Sequence, residues 1–425
     1  MKNLSAYKIA LLLAALLFII VSGFAVTGHL AQAGPFAIAG FLSLAVGCKG
    51  YPLTRGLSYT VIIFAAVTTA LYYPQYFLVW GGFKLSNLIT PLIQVIMFGM
   101  GTSMGLKDFA GVIKTPKGVF IGVTSHFIIM PLIGFTLARI SGLPPEIAAG
   151  IILIGCSPNG LASNVISYLA KANLALSITI TAVSTLLAPF VTPFLMKWLA
   201  GAFVKINALN MMWDIIKMVI IPIGGGIIFN KLFGGTTGHG DIAPATASAE
   251  RATAGSSAKP VTSASPAAER AAPGNPSPVP ATPAPRRKAV WLDKAMPIVS
   301  MSGIACIIVI ITAAGRNSLL TIGPLLVLFV LLHNLSGYAL GYWTGRLFRM
   351  AERDCRTMAI EVGMQNGGLA SGLAKEMGKM ATVGLAPAIF GPLMNVTGSI
   401  LASYWHRKPP KDPTAPNPSA TPAIA

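Results

Sequence analysis

The sequence predicts an all-α polytopic membrane protein, and three observations support this class. Of its 425 residues, 54% are hydrophobic and only 10% are charged. The mean hydropathy of +0.70 is above the range of a soluble domain. Apolar windows of about 17 to 25 residues, long enough to cross the hydrocarbon layer as a helix, recur along the chain. Strands of a β-barrel would be shorter and would alternate strictly, so the pattern favours helices.

Twelve such windows are found, and their apolar residues show only weak periodicity. A helix surrounded by lipid and by other helices is apolar on all sides, which explains the weak pattern. In chain order, the predicted spans are 7–27, 34–49, 57–76, 87–104, 117–138, 146–169, 174–198, 209–233, 294–314, 318–345, 357–376 and 380–405.

The first span allows a second interpretation. A basic start, an apolar run and the tripeptide Ala31-Gln32-Ala33 are typical of a signal peptide and its cleavage site. The apolar run is long for a signal peptide, however. We therefore expect a retained transmembrane helix, with cleavage of this segment as the alternative.

The distribution of basic residues predicts the orientation of the chain. The formal net charge is +19, and most basic residues lie in short loops on alternate sides of consecutive spans. The positive-inside rule makes those loops cytoplasmic, which predicts a multi-pass protein of the cell inner (plasma) membrane with both termini in the cytoplasm. No basic face with stacking aromatic residues is present, so nucleic acid is not an expected partner. Four scattered cysteines indicate neither zinc nor a disulfide framework.

Composition divides the chain into units. Residues 234–292 are rich in Ala, Pro, Ser and Thr, and we expect a disordered cytoplasmic linker. The predicted units are two N-terminal hydrophobic spans in 1–56, a first five-helix repeat in 57–200, the first helix of a second repeat in 201–233, the linker in 234–292, the remaining four helices in 293–406, and a disordered, basic and Pro-rich tail in 407–425.

The two predicted repeats share a motif. Asn159-Gly-Leu-Ala-Ser163 lies in the sixth span, and Asn366-Gly-Gly-Leu-Ala-Ser371 lies in the eleventh. His126 and His333 each precede the asparagine of their motif by 33 residues. Because each copy has an odd number of helices, the second copy would cross the membrane in the opposite sense. This predicts a ten-helix inverted five-helix repeat behind two extra N-terminal helices.

The same motifs predict broken helices. Inverted repeats place their substrate site near the midplane, on helices interrupted by Gly or Pro. The stretches Ser157-Pro158-Asn159-Gly160 and Gln365-Asn366-Gly367-Gly368 fit this description. We therefore expect two crossed broken helices at the centre of the fold.

Glu361 is the carboxylate in the middle of the eleventh span, where a charge is costly. It has no cation three or four residues away on its own helix, so its charge is compensated by another helix, by a bound cation or by protonation. One carboxylate among neutral oxygens suits Na⁺ better than a transition metal, which prefers Cys or His. Ser177 and Thr181 share one helix face. The neutral oxygens nearby in the two motifs and the following helix are those of Ser163, Asn164, Ser177, Thr181 and Gln365.

These stretches resemble the bile acid:sodium symporter family. The resemblance covers about 57–406 and is carried by GCSPNGLASNVISYLAKANLALSITITAVSTLLAPFVTP, IEVGMQNGGLASGLA and VIMFGMG. It implies secondary transport of an organic anion driven by Na⁺, with a panel domain, a core domain and two Na⁺ sites beside the crossed helices. The first site would use Ser163, Asn164, Ser177, Thr181 and Glu361. The second would use Glu361, Gln365, the carbonyls of Val362 and Met364, and the residue at position 126. Substrate would contact Asn159, Gly160, Leu161, Asn366, Gly367 and Met394.

Three departures from the family pattern leave alternatives open. A glutamine of the second Na⁺ site is replaced by His126, which puts that second ion in doubt and allows H⁺ coupling instead. Asn159 and Leu161 replace a glycine and a substrate-facing threonine, and Met394 replaces a histidine of some members. The substrate therefore stays open, as do the oligomeric state and the role of the linker.

The expected function is a sodium-coupled symporter of a small organic anion, a carboxylate or a bile-acid-like molecule. A proton-coupled transporter using His126 and a non-transporting membrane sensor on the same fold are the alternatives. An enzyme or a primary pump is not expected, because the sequence has no GxSxG, HExxH, paired-aspartate or Walker A motif.

Overall fold

The computed structural model describes residues 2–51, 54, 56–103, 115–233, 290–408 and 410, and these form a bundle of helices. The first half contains α1 (Lys2–Val26), α2 (Gly34–Cys48), α3 (Leu57–Tyr72), α4 (Ile89–Ser103), α5 (Pro116–Ile140), α6 (Pro145–Cys156), α7 (Ala162–Leu169) and α8 (Leu174–Leu195). The second half contains α9 (Ala208–Ile215), α10 (Ile221–Phe233), α11 (Val290–Ala314), α12 (Arg316–Leu347), α13 (Glu352–Gly363), α14 (Gly367–Glu376) and α15 (Leu385–Arg407). The predicted all-α class is confirmed for the described residues.

Short irregular elements join or extend these helices. A π-helical segment, Met196–Ala200, continues α8, and a second one, Ile216–Ile220, joins α9 to α10. Single 3₁₀ turns occupy Leu30–Gln32, Pro74–Phe77 and Leu85–Leu88. A small hairpin pairs β1 (Val79–Trp80) with β2 (Phe83–Lys84). Its turn residues Gly81 and Gly82 have φ of +52° and +84°, which glycine adopts without strain.

Every predicted span corresponds to a helix or to a pair of helices. Seven spans are single helical segments long and apolar enough to cross a membrane, the longest being Arg316–Leu347. Three more are shorter apolar helices, at Gly34–Cys48, Leu57–Tyr72 and Ile298–Ala314. The remaining two spans are each divided in two, as α6 with α7 and as α13 with α14. The predicted breaks are therefore present, while the division of the fold into two repeat copies stays a prediction.

Two predicted segments fall largely outside the described residues. The linker was placed at 234–292, and the structure describes only 290–292 of it, as the first turn of α11. Of the predicted tail at 407–425, only 407, 408 and 410 are described. The predicted disorder of these segments stays a prediction.

The described helices form two packed groups. In one group α1 packs on α2, α2 on α3, and α4 packs between α10 and α11. In the other, α5, α8, α12 and α15 surround the divided spans α6–α7 and α13–α14. Large apolar side chains cover the outside, with Phe120, Phe190 and Leu347 exposing 73%, 64% and 78% of their surface. Such an apolar exterior fits contact with lipid, and the chain is a multi-pass membrane protein.

Candidate functional site

The break between α6 and α7 is encoded by local sequence. Pro158 cannot donate a helical hydrogen bond, and its ring keeps the preceding residue out of the helical region. Ser157 accordingly has φ −77° and ψ 152°, an extended conformation, directly after the last residue of α6. A Cβ on Gly160 would lie 2.8 Å from the backbone oxygen of Gln365. Proline therefore favours the turn of the first break, and glycine leaves room for the close approach of Gln365.

The break between α13 and α14 has no proline. Met364 is extended, with φ −109° and ψ 120°, and Asn366 is the N-cap of α14. The side-chain oxygen of Asn366 accepts a hydrogen bond from the backbone nitrogen of Leu369 at 3.0 Å. This satisfies one of the free N–H groups at the start of the helix. Gly367 and Gly368, predicted to lie in the break, form the first residues of α14 instead.

The two breaks contact each other through their backbones. Asn159 and Gln365 form an isolated antiparallel bridge. The backbone nitrogen of Asn366 donates to the oxygen of Pro158 at 2.8 Å. Buried backbone groups need partners, and here each break supplies partners for the other. We call this contact, formed by residues 157–161 and 364–366, the crossing.

The carboxylate of Glu361 lies beside the crossing, one turn before the end of α13, and is fully buried. Its Oε1 accepts from the hydroxyl of Ser177 at 2.5 Å, and its Oε2 accepts from the hydroxyl of Thr181 at 2.9 Å. Both donors come from one face of α8. Among the described residues no Lys or Arg forms an ion pair with this carboxylate. Its negative charge is therefore surrounded by neutral groups.

α7 completes this polar cluster. The side-chain oxygen of Asn164 lies 2.8 Å from the Ser177 hydroxyl, and the hydroxyl of Ser163 lies 3.3 Å from that of Thr181. All five residues predicted for the first Na⁺ site therefore meet in one place. Their oxygens are hard ligands of the kind that alkali and alkaline-earth cations prefer.

His126 of α5 lies on the other side of Glu361 and is fully buried. Its Nε2 lies 2.9 Å from the oxygen of Ser157, and its Nδ1 lies 3.2 Å from the backbone oxygen of Glu361. The amide nitrogen of Asn159 is 3.2 Å from the same Nδ1 and also donates to the Glu361 backbone oxygen. His126 thus contacts the crossing. Gln365 is part of the crossing, and its side-chain amide donates to the Val362 oxygen at 2.9 Å.

A cavity of about 520 Å³ adjoins the crossing and lies between the two groups of helices. Its walls come from α3, α4 and α11 on one side and from α7, α14 and α15 on the other. Lys49, just after α2, is the single charged side chain among the described residues that line it. Five of the six predicted substrate contacts lie on this wall: Gly160, Leu161, Asn366, Gly367 and Met394.

Asn159, the sixth predicted substrate contact, is placed differently. Its side chain is fully buried and faces His126 and Glu361, and it is not part of the cavity wall. Met364 is likewise buried in the crossing, as the C-cap of α13. Asn164 belongs both to the polar cluster and to the wall, and Gln365 of the crossing also lines the cavity, so the cavity and the carboxylate site are neighbours.

Sequence reasoning missed one residue of the site. Asn334 follows His333 on α12, is fully buried, and donates to the oxygen of Gly363, the last residue of α13, at 2.9 Å. Thr397 of α15 donates to the Asn334 side-chain oxygen at 2.6 Å. An Asn inside an apolar span was the available signal. His333 itself contacts the oxygen of Met130 at 2.9 Å and does not reach the crossing.

Comparisons with known proteins identify the family of the chain. Residues 90–245 match the profile of the sodium bile acid symporter family. The sodium-dependent transporter YocS of Bacillus subtilis, described as uncharacterized, is 34% identical over 349 residues, which is 82% of this chain and 90% of YocS. The probable chloroplastic sodium/metabolite cotransporter BASS1 of Arabidopsis thaliana is 28% identical over 330 residues, 76% of this chain and 69% of BASS1. The ileal sodium/bile acid cotransporter of Oryctolagus cuniculus is 27% identical over 297 residues, 68% of this chain and 69% of that protein.

The fold, the buried carboxylate and these relatives define a class: the protein is a sodium-dependent membrane transporter, not an enzyme. Because the similarity to YocS extends over nine tenths of that protein, it is not confined to one motif. The chain belongs to the sodium bile acid symporter family, as its motifs predicted.

Proposed function

We propose that this protein is a secondary symporter that couples Na⁺ to the transport of a small organic anion by alternating access. The observation that carries the proposal is the buried carboxylate of Glu361, which has hydroxyl partners and no cationic one among the described residues. A buried charge without a counter-charge is strongly destabilising. A bound Na⁺, held by Ser163, Asn164, Ser177, Thr181 and Glu361, would supply that counter-charge.

The adjoining cavity suits an organic anion. Its described wall is mostly apolar, and Lys49 is its single charged side chain, a cation. The first residues of α7 and α14 also line it, so the positive ends of two helix dipoles face the same space. A molecule with an apolar body and one carboxylate would bury its body on the apolar wall and direct its charge at these helix ends.

A Na⁺ bound at Glu361 would couple ion binding to the binding of the organic anion. Asn164 contacts the carboxylate cluster through Ser177 and also lines the cavity. An ion at Glu361 would therefore order α7 and α13, which lead into the two breaks, and so prepare the cavity. Substrate in the cavity would stabilise the same arrangement of α7. Each ligand then raises the affinity of the other, as linkage requires.

The relatives support the same substrate class. One is described as a sodium/bile acid cotransporter and another as a probable sodium/metabolite cotransporter. The basic loops support an orientation with both termini in the cytoplasm, and we propose the inner (plasma) membrane as the location. On that assignment Lys49 is on the cytoplasmic side, and the cavity extends from the crossing toward the cytoplasm.

The test is uptake by the purified full chain in proteoliposomes. Radiolabelled organic anions, from pyruvate to taurocholate, are offered with an inward Na⁺ gradient, with an inward H⁺ gradient, or with K⁺ alone. We expect accumulation of at least one of them that requires the Na⁺ gradient. Replacing the carboxylate in a Glu361→Gln variant should abolish this accumulation, whereas Glu376→Gln, at the far end of α14, should retain it.

Other outcomes identify the alternatives. Accumulation driven by the H⁺ gradient and indifferent to Na⁺ would indicate proton coupling, the role considered for His126. Saturable binding of a carboxylate without accumulation under any gradient would indicate a sensor. Either result would contradict the proposal, as would full Na⁺-driven uptake by the Glu361→Gln variant.

A further inference from the structure

The two breaks leave backbone carbonyl groups free where α6 and α13 end. The last carbonyls of a helix have no partner within that helix, and in transporters such groups are available as cation ligands. The family resemblance implies a second Na⁺ at this point, in addition to the one beside the Glu361 carboxylate. Whether an ion fits depends on what already bonds to these carbonyls.

Three backbone oxygens in the last turn of α13 each accept a hydrogen bond from a side-chain N–H group. The Glu361 backbone oxygen accepts from the Asn159 amide, and the Val362 oxygen accepts from the Gln365 amide at 2.9 Å. The Gly363 oxygen accepts from the Asn334 amide at 2.9 Å. Three consecutive carbonyls thus have protein donors.

The carbonyls at the end of α6 are occupied as well. The Ser157 oxygen lies 2.9 Å from His126 Nε2, and the Pro158 oxygen accepts from the backbone of Asn366. The Ser157 oxygen can only accept, so Nε2 carries a proton; in the neutral ring Nδ1 then accepts from the Asn159 amide nitrogen at 3.2 Å, and its contact with the Glu361 backbone oxygen at 3.2 Å is not a hydrogen bond. The neutral ring then satisfies both of its nitrogens.

Both oxygens of the Glu361 carboxylate have hydroxyl partners on α8, Ser177 and Thr181, and no hydrogen bond joins this carboxylate to His126, Asn159 or Gln365. Two buried acceptors near the bridge have no partner, the side-chain oxygens of Asn159 and Gln365. Neutral oxygens alone leave the charge of a buried cation uncompensated, which is costly.

The hydroxyl groups around the Glu361 carboxylate and the N–H groups at the crossing also differ in how they can respond to an ion. A hydroxyl such as that of Ser177 can rotate its hydrogen away and present a lone pair to Na⁺. The N–H groups of His126 and Asn159 cannot do so, because an ion that took their carbonyls would leave buried donors unpaired, at a cost of about 1–3 kcal/mol each.

We infer that this transporter binds and couples a single Na⁺, because the N–H groups of His126, Asn159 and Gln365 take the place of the second ion. The inference rests on the proposed function, since it concerns the number of ions in the same site. His126 and Asn159 are then positioning residues, because their N–H groups bond to backbone oxygens that a second Na⁺ would otherwise use.

The experiment measures Na⁺ binding directly and needs no substrate. Equilibrium binding of ²²Na⁺ to the purified full chain is titrated with unlabelled Na⁺. We expect about one Na⁺ per chain and a Hill coefficient of about 1, because cooperativity cannot exceed the number of sites. About two Na⁺ per wild-type chain would overturn the inference. No saturable Na⁺ binding at all would instead contradict the proposed function.

A double variant, His126→Gln with Asn159→Gly, removes the imidazole and the Asn159 amide and places at position 126 an amide that can turn its oxygen toward an ion. We expect binding to rise to about two Na⁺ per chain, with a Hill coefficient above 1. The matched control is His333→Gln, at the corresponding position 33 residues before the second motif, where the ring contacts Met130 and not the crossing. A double variant that folds, as judged by one retained Na⁺, but gains no second ion would also contradict the inference. If the double variant does not fold, the number of Na⁺ ions bound per wild-type chain tests the inference by itself.

Discussion

The two breaks of the crossing reach the same shape by different means. In the first, between α6 and α7, Pro158 ends one helix, and Gly160 leaves room for the backbone of Gln365. The second, between α13 and α14, has neither a proline nor a required glycine at its centre. It is held by the Asn366 cap, by the bridge to Asn159, and by side chains from α5, α8 and α12.

This difference indicates that the second break depends on tertiary contacts more than the first does. A proline acts on its own chain, so the first break should persist when the tertiary contacts weaken. The second contains only residues that tolerate a helix, so its shape depends on partners outside it. The second break also carries the charge, Glu361, whose partners come from α8, about 180 residues earlier in the chain. Substitutions in the crossing, in the ion site and on the cavity wall test this difference.

The largest effect is expected from Gly160→Ala. Its Cβ would lie 2.8 Å from the Gln365 backbone oxygen, and backbone cannot move aside as a flexible side chain can. We expect a stability loss of about 1–3 kcal/mol and loss of most Na⁺-driven uptake. Thermal unfolding in detergent and proteoliposome uptake measure the two effects. Gly224→Ala is the control, since nothing lies within 4 Å of a Cβ there. Equal behaviour of the two variants would show that the close approach is unimportant.

The next effect is expected from Thr181→Val, which removes one hydroxyl from the Glu361 carboxylate while nearly keeping its shape. The variant removes one of the five proposed Na⁺ ligands, so the apparent Na⁺ affinity should fall about tenfold, which corresponds to about 1.4 kcal/mol. The Na⁺ concentration for half-maximal uptake measures it. Thr185→Val is the control one turn along α8, where the hydroxyl donates to the Thr181 backbone instead. An unchanged Na⁺ affinity in Thr181→Val would remove this threonine from the ion site.

A smaller effect is expected from Pro158→Ala. The backbone bond from Asn366 to residue 158 and the bridge between the breaks do not need the proline ring. The unfolded chain gains freedom, so stability should fall by about 0.4–1 kcal/mol, with Na⁺-driven uptake reduced but present. Pro324→Ala, near the start of α12, serves as the comparison. Complete loss of uptake in Pro158→Ala would mean that the tertiary contacts cannot hold the first break without its proline.

The smallest effect is expected from Lys49→Gln, which lies on the cavity wall far from both breaks in sequence. An exposed charge contributes about 0.2–1 kcal/mol, so the KM for a transported anion should rise about two- to fivefold, and less at high ionic strength. The maximal rate should not change. Lys84→Gln, on the exposed hairpin, should leave KM unchanged. A fall in the maximal rate with constant KM would contradict a role in attracting the substrate.

Much of the fold could be predicted because membrane helices have a simple length requirement. All twelve apolar spans are helical in the structure, and both broken spans were recognised from Pro158 and from the paired motifs. The ends were less accurate: Gly367 and Gly368 begin α14 and do not lie in the break. A glycine pair permits either position, and the Asn366 cap decides between them.

The sequence alone determined the class of the protein, the places where two helices must or can break, and the polar residues available for a site. Only the tertiary structure decided which of them meet. It brought four residues from α7 and α8 around the carboxylate of Glu361 in α13, directed Asn159 toward His126 and away from the cavity, and added Asn334. The physical reason is that helices in lipid are apolar on every side. Their sequence periodicity therefore does not reveal which face is inward, and packing between distant segments chooses it.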